Sequence, residues 1–128
     1  MRSVVICGSR RFKKEIVEFV AELKKASVVV FEPILYTNGA ADAQNSEEVK
    51  RLRRLGLTLH HFSQIRKADV CYIYDKDGYI GISTTAEMGF AAAMGMPIYA
   101  LAPDTEDPPR GVLIDEVVPT VGELLKKL

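Results

Sequence analysis

The sequence predicts an α/β fold: a single doubly wound domain, Rossmann-like or flavodoxin-like, with about five parallel strands in the order 2-1-3-4-5. Three observations predict it. Strand-like and helix-like segments alternate along the chain. The strand-like segments are continuous apolar runs, such as Val4-Val5-Ile6-Cys7 and Val28-Val29-Val30-Phe31, as expected of strands covered on both faces. The 128 residues are 48% hydrophobic, which suffices for one core and fits one domain over 1–128.

Residues 3–7 form the first β-branched run, and Gly8-Ser9 come directly after it. In 12–25, Phe12, Ile16, Phe19, Val20 and Leu23 recur at helical spacing with Lys and Glu between them. Residues 28–31 read as a second strand, and Pro33 and Asn38-Gly39 break the stretch of chain after it. A helix is predicted over 46–56, with Ser46 as N-cap, Glu47 and Glu48 in the first turn and Gly56 as its stop. A separate helix is expected over 58–67. Residues 69–74 are the third strand and 84–94 a helix of small residues ended by Gly95 and Pro97. Residues 97–101 are the fourth strand, 103–110 a polar loop, 115–118 a short strand and 120–128 a closing helix.

Composition excludes several classes. Seventeen basic residues balance seventeen acidic ones, so no surplus exists to displace counterions from a nucleic acid. No apolar run approaches the ~20 residues of a membrane span. The start, Met1 to Arg10, is too soon polar for a signal peptide. Cys7 and Cys71 both sit in apolar runs, which suits reduced, buried thiols and a cytoplasmic setting.

In a doubly wound sheet, ligands bind beyond the carboxyl ends of the strands, at the switch point beside the first strand. That rule sorts the residues. Asp69 lies at the wrong end of its strand and reads as a structural cap. Asp75 and Asp77 leave the same strand at the right end. Gly8, Ser9, Arg10 and Arg11 join strand to helix there, where free N–H groups and a guanidinium suit a phosphate. The competing reading is a tight turn with solvated arginines. Thr84-Thr85-Ala86-Glu87 matches a capping box, Thr84 at the N-cap and Glu87 three residues on. Its position allows another role. A carboxylate one turn into a helix at the open sheet end points into the crevice, is kept ionised by the helix dipole, and suits attack on a sugar C1′.

Ala68-Asp69-Val70, the Asp75-Lys76-Asp77-Gly78 loop, Gly81 to Ala91 and Gly95-Met96-Pro97-Ile98 together resemble the nucleoside 2-deoxyribosyltransferase family. Cys7-Gly8-Ser9-Arg10-Arg11 resembles its branch of 2′-deoxynucleoside 5′-phosphate N-hydrolases. The resemblance covers 68–98 well and 4–11 loosely. It implies a Glu87 nucleophile, phosphate contacts from Ser83 or Thr84 and from Gly8, Ser9 and Arg10 or Arg11, and a homodimer or larger assembly. Two positions depart from the family. His61 stands where an aspartate is usual, eight residues before Asp69, and Gly81 stands where the transferases carry an aspartate six residues before Glu87.

The expected activity is cleavage or transfer of the N-glycosidic bond of a 2′-deoxynucleoside or its 5′-monophosphate. Glu87 is the nucleophile; Asp77, Asp75 and His61 are the candidates for proton transfer. No metal or organic cofactor is expected, and adjacent His60 and His61 do not face one ligand on a helix. Tyr79 is a candidate for stacking on a base, with rim packing as the alternative. Lys50, Arg51, Arg53 and Arg54 read as a solvated face, with phosphate steering as the second reading. Gly89, Ala91, Ala92 and Ala93 make a smooth helix suited to the sheet or to a second subunit. Two other readings stand beside the enzyme: a phosphoribohydrolase of the cytokinin-activating type, and a non-catalytic nucleotide-sensing module.

Overall fold

A computed structural model describes residues 2–36 and 39–128. Five strands, Val4–Gly8 (β1), Val30–Phe31 (β2), Val70–Tyr74 (β3), Ile98–Ala100 (β4) and Glu116–Val117 (β5), form one sheet. Every pairing is parallel and the order is β2-β1-β3-β4-β5, as the apolar runs predict. The reversal of direction between β1 and β3 is the switch point.

Alternation along β1 and β3 splits the core in two. Val4, Ile6, Val70, Tyr72 and Tyr74 pack with Phe12, Ile16, Phe19, Val20 and Leu23. These come from the Arg10–Phe12 turn and from helix α1 (Lys13–Lys25). The Phe19 and Tyr72 rings stack at 4.8 Å, and the buried Tyr72 hydroxyl donates to the Val118 carbonyl at 2.8 Å. Val5, Cys7, Cys71 and Ile73 face the other way, onto Ile65, Met88 and Ala91. Those belong to the helices α3 (Glu47–Lys67) and α4 (Ile82–Ala93); α2 is the short Gly39–Asp42 turn. Two further helices, α5 (Pro108–Gly111) and α6 (Val121–Leu125), complete the chain.

Most element ends obey the local signals. Ser46 caps α3, its Oγ accepting from Val49 N at 3.3 Å. Thr120 caps α6 in the same way. Asp69 is the structural cap its position implies: Oδ2 accepts from Ser3 N at 2.8 Å. The basic cluster is a helix surface, where Lys50 pairs with Glu47 and Arg53 with Asp42.

Three expectations are corrected. The second strand keeps only Val30–Phe31 of 28–31 and lies half-buried at the sheet edge, with Val29 exposed, so it is not covered on both faces. Gly56 does not stop a helix: α3 runs unbroken through it for 21 residues. Glycine costs a helix only about 1 kcal/mol, and burial of His61 and Ile65 further along outweighs that. Helix α4 begins at Ile82, not Thr84, with Gly81 as an N-cap lacking a side-chain bond. Thr84 is therefore inside the helix and buried, and the Thr84–Glu87 capping box does not form. Asn38, half of the expected Asn38-Gly39 break, lies outside the described residues.

Candidate functional site

Each strand end at the switch point contributes through the direction of its side chains. Cys7 is the last residue of β1 but one, and its parity aims it at the α3–α4 layer. There it meets His61 from α3 and Glu87 from the second turn of α4. Cys7 Sγ is 3.5 Å from His61 Nε2, and His61 Nε2 is 3.8 Å from Glu87 Oε1. His61 Nδ1 lies 3.1 Å from Gln64 Oε1, which can only accept, so Nδ1 carries the proton. The Nε2 lone pair is thereby turned toward Cys7 and Glu87.

Burial sets the electrostatics. Glu87, with 18% of its side chain exposed, is pushed up to about 7, because burial penalises its charge more than the Cys7 thiol relieves it. The expectation that the helix dipole keeps Glu87 ionised is corrected here. Glu87 stands beyond the first turn, where the dipole has faded and desolvation dominates. Burial holds His61 below its usual value and therefore neutral near pH 7, against the opposing pull of Gln64. The hydrogen bond with Cys71, then burial, push the Cys7 thiol well up. Cys7 and Cys71 are both free and buried, as their apolar runs imply.

The Gly8–Arg11 turn forms at the predicted end of β1. Ser9 Oγ accepts from Arg11 N at 3.3 Å and caps the turn. Gly8 is explained by packing: a Cβ there would stand 2.9 Å from Ile16 Cδ1 and 3.1 Å from the Tyr74 carbonyl. Arg10 and Arg11 are exposed, and the Arg11 guanidinium lies 3.5 Å above the Tyr79 ring. Tyr79 also meets Phe12 edge-on at 6.1 Å, so one reading of Tyr79, as a rim residue, describes its contacts in this structure. Ser83 is exposed in the first turn of α4, next to the buried Thr84.

The two aspartates separate. Asp75 is fully buried; Oδ1 accepts from Ala102 N at 2.9 Å and ties the end of β3 to the segment after β4. Its Oδ2 makes no hydrogen bond among the described residues. Burial, with a smaller push from Asp104, lifts its carboxyl to about 7. Asp77 is exposed, in a left-handed turn with φ +58°, and is not a member of the Cys7–His61–Glu87 cluster.

Two residues escape the sequence reading as parts of this region. Cys7 reads only as a core thiol until the α3–α4 layer is known to lie on its side of the sheet. Arg110 lies in the short helix α5, which replaces the end of the loop expected over 103–110 and follows a stretch crowded with acids. Its Nε and Nη2 grip Asp104 at 2.6 and 3.0 Å, and its Nη1 reaches Thr85 Oγ1.

Solved structures share this architecture. The 2-desoxiribosyltransferase from Leishmania mexicana superposes with a TM-score of 0.52 at 16% identity, over 80% of this chain and 67% of that one. A conserved protein from Enterococcus faecalis V583 superposes with a TM-score of 0.59 at 18% identity, over 98% and 96%. This chain shares its fold with both. No known family's sequence pattern matches it, and no curated protein matches it in sequence. Among the described residues, no helix is long and apolar enough to cross a membrane.

Proposed function

We propose that this protein cleaves or transfers the N-glycosidic bond of a 2′-deoxynucleoside or its 5′-monophosphate, with Glu87 as the nucleophile. One observation carries the reading. A carboxylate placed by α4 beside the end of β1 has no capping role, is mostly buried, and keeps an open side to solvent. Burying a carboxyl whose neighbours, a thiol and a neutral imidazole, bring no compensating charge costs stability, and such groups gather at functional sites. The fold shared with a 2-desoxiribosyltransferase and the motif around Glu87 support the same chemistry.

The ionised form of Glu87 attacks C1′ while the C1′–N bond breaks and its electron pair leaves with the base. Water or a second base then displaces the glutamyl ester, so two displacements retain the configuration. A carboxyl poised near 7 is half ionised at neutral pH, and a less hydrated carboxylate is the stronger nucleophile. His61 holds Cys7 and Glu87 in register from α3. Of the candidates for protonating the departing base, Asp75 is the one lifted to about 7, so it keeps a proton into the neutral range. Ser9, Arg10 or Arg11 and the first turn of α4, through the exposed Ser83 rather than the buried Thr84, receive a 5′-phosphate. Exposed Val49, Leu52, Leu55 and Leu59 on α3, beside Ala86, Gly89 and Ala93 on α4, form the surface for a second copy.

The test is base release from a panel of ribo- and deoxyribonucleosides and their 5′-monophosphates. Release from the deoxy compounds supports the reading. Preference for ribonucleotide monophosphates would transfer it to the phosphoribohydrolase class, and tight nucleotide binding without release to a sensing module.

A further inference from the structure

We propose that Cys7, His61 and Glu87 together bind one borderline-soft divalent cation of the Zn2+ type. The three side chains come from β1, α3 and α4, and their ligand atoms all lie within 4.8 Å of one another. With Zn–S of about 2.3 Å and Zn–N and Zn–O of about 2.0–2.1 Å, tetrahedral ligands stand roughly 3.3–3.6 Å apart. The Cys7–His61 separation is 3.5 Å and the His61–Glu87 separation 3.8 Å, so a small movement of the carboxylate closes the set.

Three further features fit a metal. Gln64 accepts from His61 Nδ1 and leaves the Nε2 lone pair facing the other two ligands, the usual outer support of a metal-bound imidazole. One thiolate, one carboxylate and one neutral imidazole neutralise a dication, so the loaded site buries no net charge. Sulfur, nitrogen and oxygen in one set select Zn2+ over Mg2+ or Ca2+, which take oxygen. Binding breaks the Cys7 S–H bond and the O–H bond of any protonated Glu87: sulfur and oxygen keep the electron pairs for the metal and the protons go to solvent. The partly exposed side of Glu87 leaves a fourth position for water.

A disulfide is the rival use of Cys7, since Cys71 Sγ is only 3.8 Å away. The register excludes it. Cys71 pairs with Val5, so Cys7 is offset from it by two residues across adjacent strands. Strand spacing and rise then separate the Cα atoms by about 8 Å, beyond the ~7 Å a disulfide spans. The consequence for Glu87 rests on its reading as nucleophile: the cation occupies the attacking oxygen and silences base release. The binding itself does not rest on that reading.

The experiment uses the full chain, first stripped with a chelator. Zn2+ is titrated in competition with a chromogenic chelator, and Co2+ is added in parallel and monitored by absorption. Equimolar Zn2+ binding, undisturbed by excess Mg2+, and a thiolate-to-cobalt charge-transfer band are expected. Cys7→Ser, checked for folding by circular dichroism, should lose the band and weaken Zn2+ by about 100-fold or more, above the range for outer-shell partners. Glu87→Gln, which keeps the side chain's shape, should weaken Zn2+ as well. Cys71→Ser, the same change next door, should keep both signals. No stoichiometric binding, full affinity in Cys7→Ser, or loss in Cys71→Ser alone would each overturn the site. Binding as expected in a chain that never releases base leaves the site standing and ends the nucleophile reading instead.

Discussion

Arg110 Nη1 donates to Thr85 Oγ1 at 3.1 Å, and so fastens the loop after β4 to the first turns of α4. The same guanidinium grips Asp104, whose side chain is inaccessible to solvent, and holds that carboxyl below its usual range. Arg110→Ala removes the charged partner of a shielded carboxylate, leaving Asp104 only the Glu106 and Asp107 backbone N–H groups, and takes a donor from Thr85 Oγ1. Stability should fall by about 2–3 kcal/mol, the scale of a broken, mostly buried pair. Arg110→Lys should recover only part, because an ammonium cannot reproduce the fork. Urea midpoints of the three proteins check this; a cost for Arg110→Ala within experimental error removes the fastening role.

Asp75 carries a pH dependence of definite sign. Its native carboxyl sits at about 7, above the ordinary value of an unfolded aspartate, so the native state holds a proton that the unfolded state has lost. The contribution of Asp75 to stability is therefore greatest below about pH 4, falls as pH rises toward 7, and levels off above. Glu87 acts in the same direction. Asp75→Asn, which keeps an acceptor for Ala102 N, should flatten the Asp75 part of the slope without touching that of Glu87. Thermal midpoints from pH 5 to 8 measure the slope; parallel curves for wild type and variant would contradict a raised Asp75.

The contrast between these residues and the sheet shows where sequence reasoning reaches. Val4 to Cys7 and Val70 to Tyr74 reveal their strands because both faces are apolar, and parallel order results from the helices between them. Ser46 and Thr120 reveal helix starts because a hydroxyl placed before a helix has one good use. Gly56 and Thr84 mislead for a shared reason. Their local preferences are worth about 1 kcal/mol each, and packing of whole helices overrides that. Glu87 and His61 both stand out in the sequence, yet their meeting depends on the tilt of α3 against α4, which no spacing encodes. Cys7 is hidden by its own apolar neighbours. Arg110 is hidden because a charge in an acidic loop ordinarily reads as solvated.

The phosphate role of the Gly8–Arg11 turn has a thermodynamic signature. Ser9 already caps the turn and Arg11 already rests on Tyr79, so an arriving phosphate meets a preformed shape. A 5′-monophosphate should bind more tightly than its nucleoside, and the gap should shrink as salt rises. Calorimetry with both ligands at low and high salt decides; equal affinity for the two would strip Ser9, Arg10 and Arg11 of this role.

Assembly should depend on α3. Leu52 and Leu59 are each 54% exposed, and Val49 and Leu55 are nearly as bare. Four such residues on one face of one helix exceed ordinary scatter of surface apolar groups. Light scattering should report at least twice the chain mass, and Leu52→Lys with Leu59→Lys should return it to the single-chain value with the fold intact. A wild type that scatters as one chain at all micromolar concentrations would refute the surface.

Glu87→Gln separates structure from chemistry at the site itself. Gly81, not Thr84, is the N-cap of α4, so Glu87 holds no cap that a substitution could break. Gln keeps the volume and an oxygen for the Cys7 thiol, and it removes a group whose ionisation burial opposes. Stability at pH 8 should therefore stay within about 1 kcal/mol of wild type, or rise slightly, and the loss of stability with rising pH should lessen. Base release should fall by several orders of magnitude, because a neutral amide cannot attack C1′ and no covalent ester can form. Glu87→Asp should fall as well, since a side chain one methylene shorter withdraws the carboxylate from the reacting carbon. Thermal midpoints and single-turnover base release on the same preparations read both quantities together. Turnover that survives Glu87→Gln would remove the carboxylate from the reaction, whatever its neighbours.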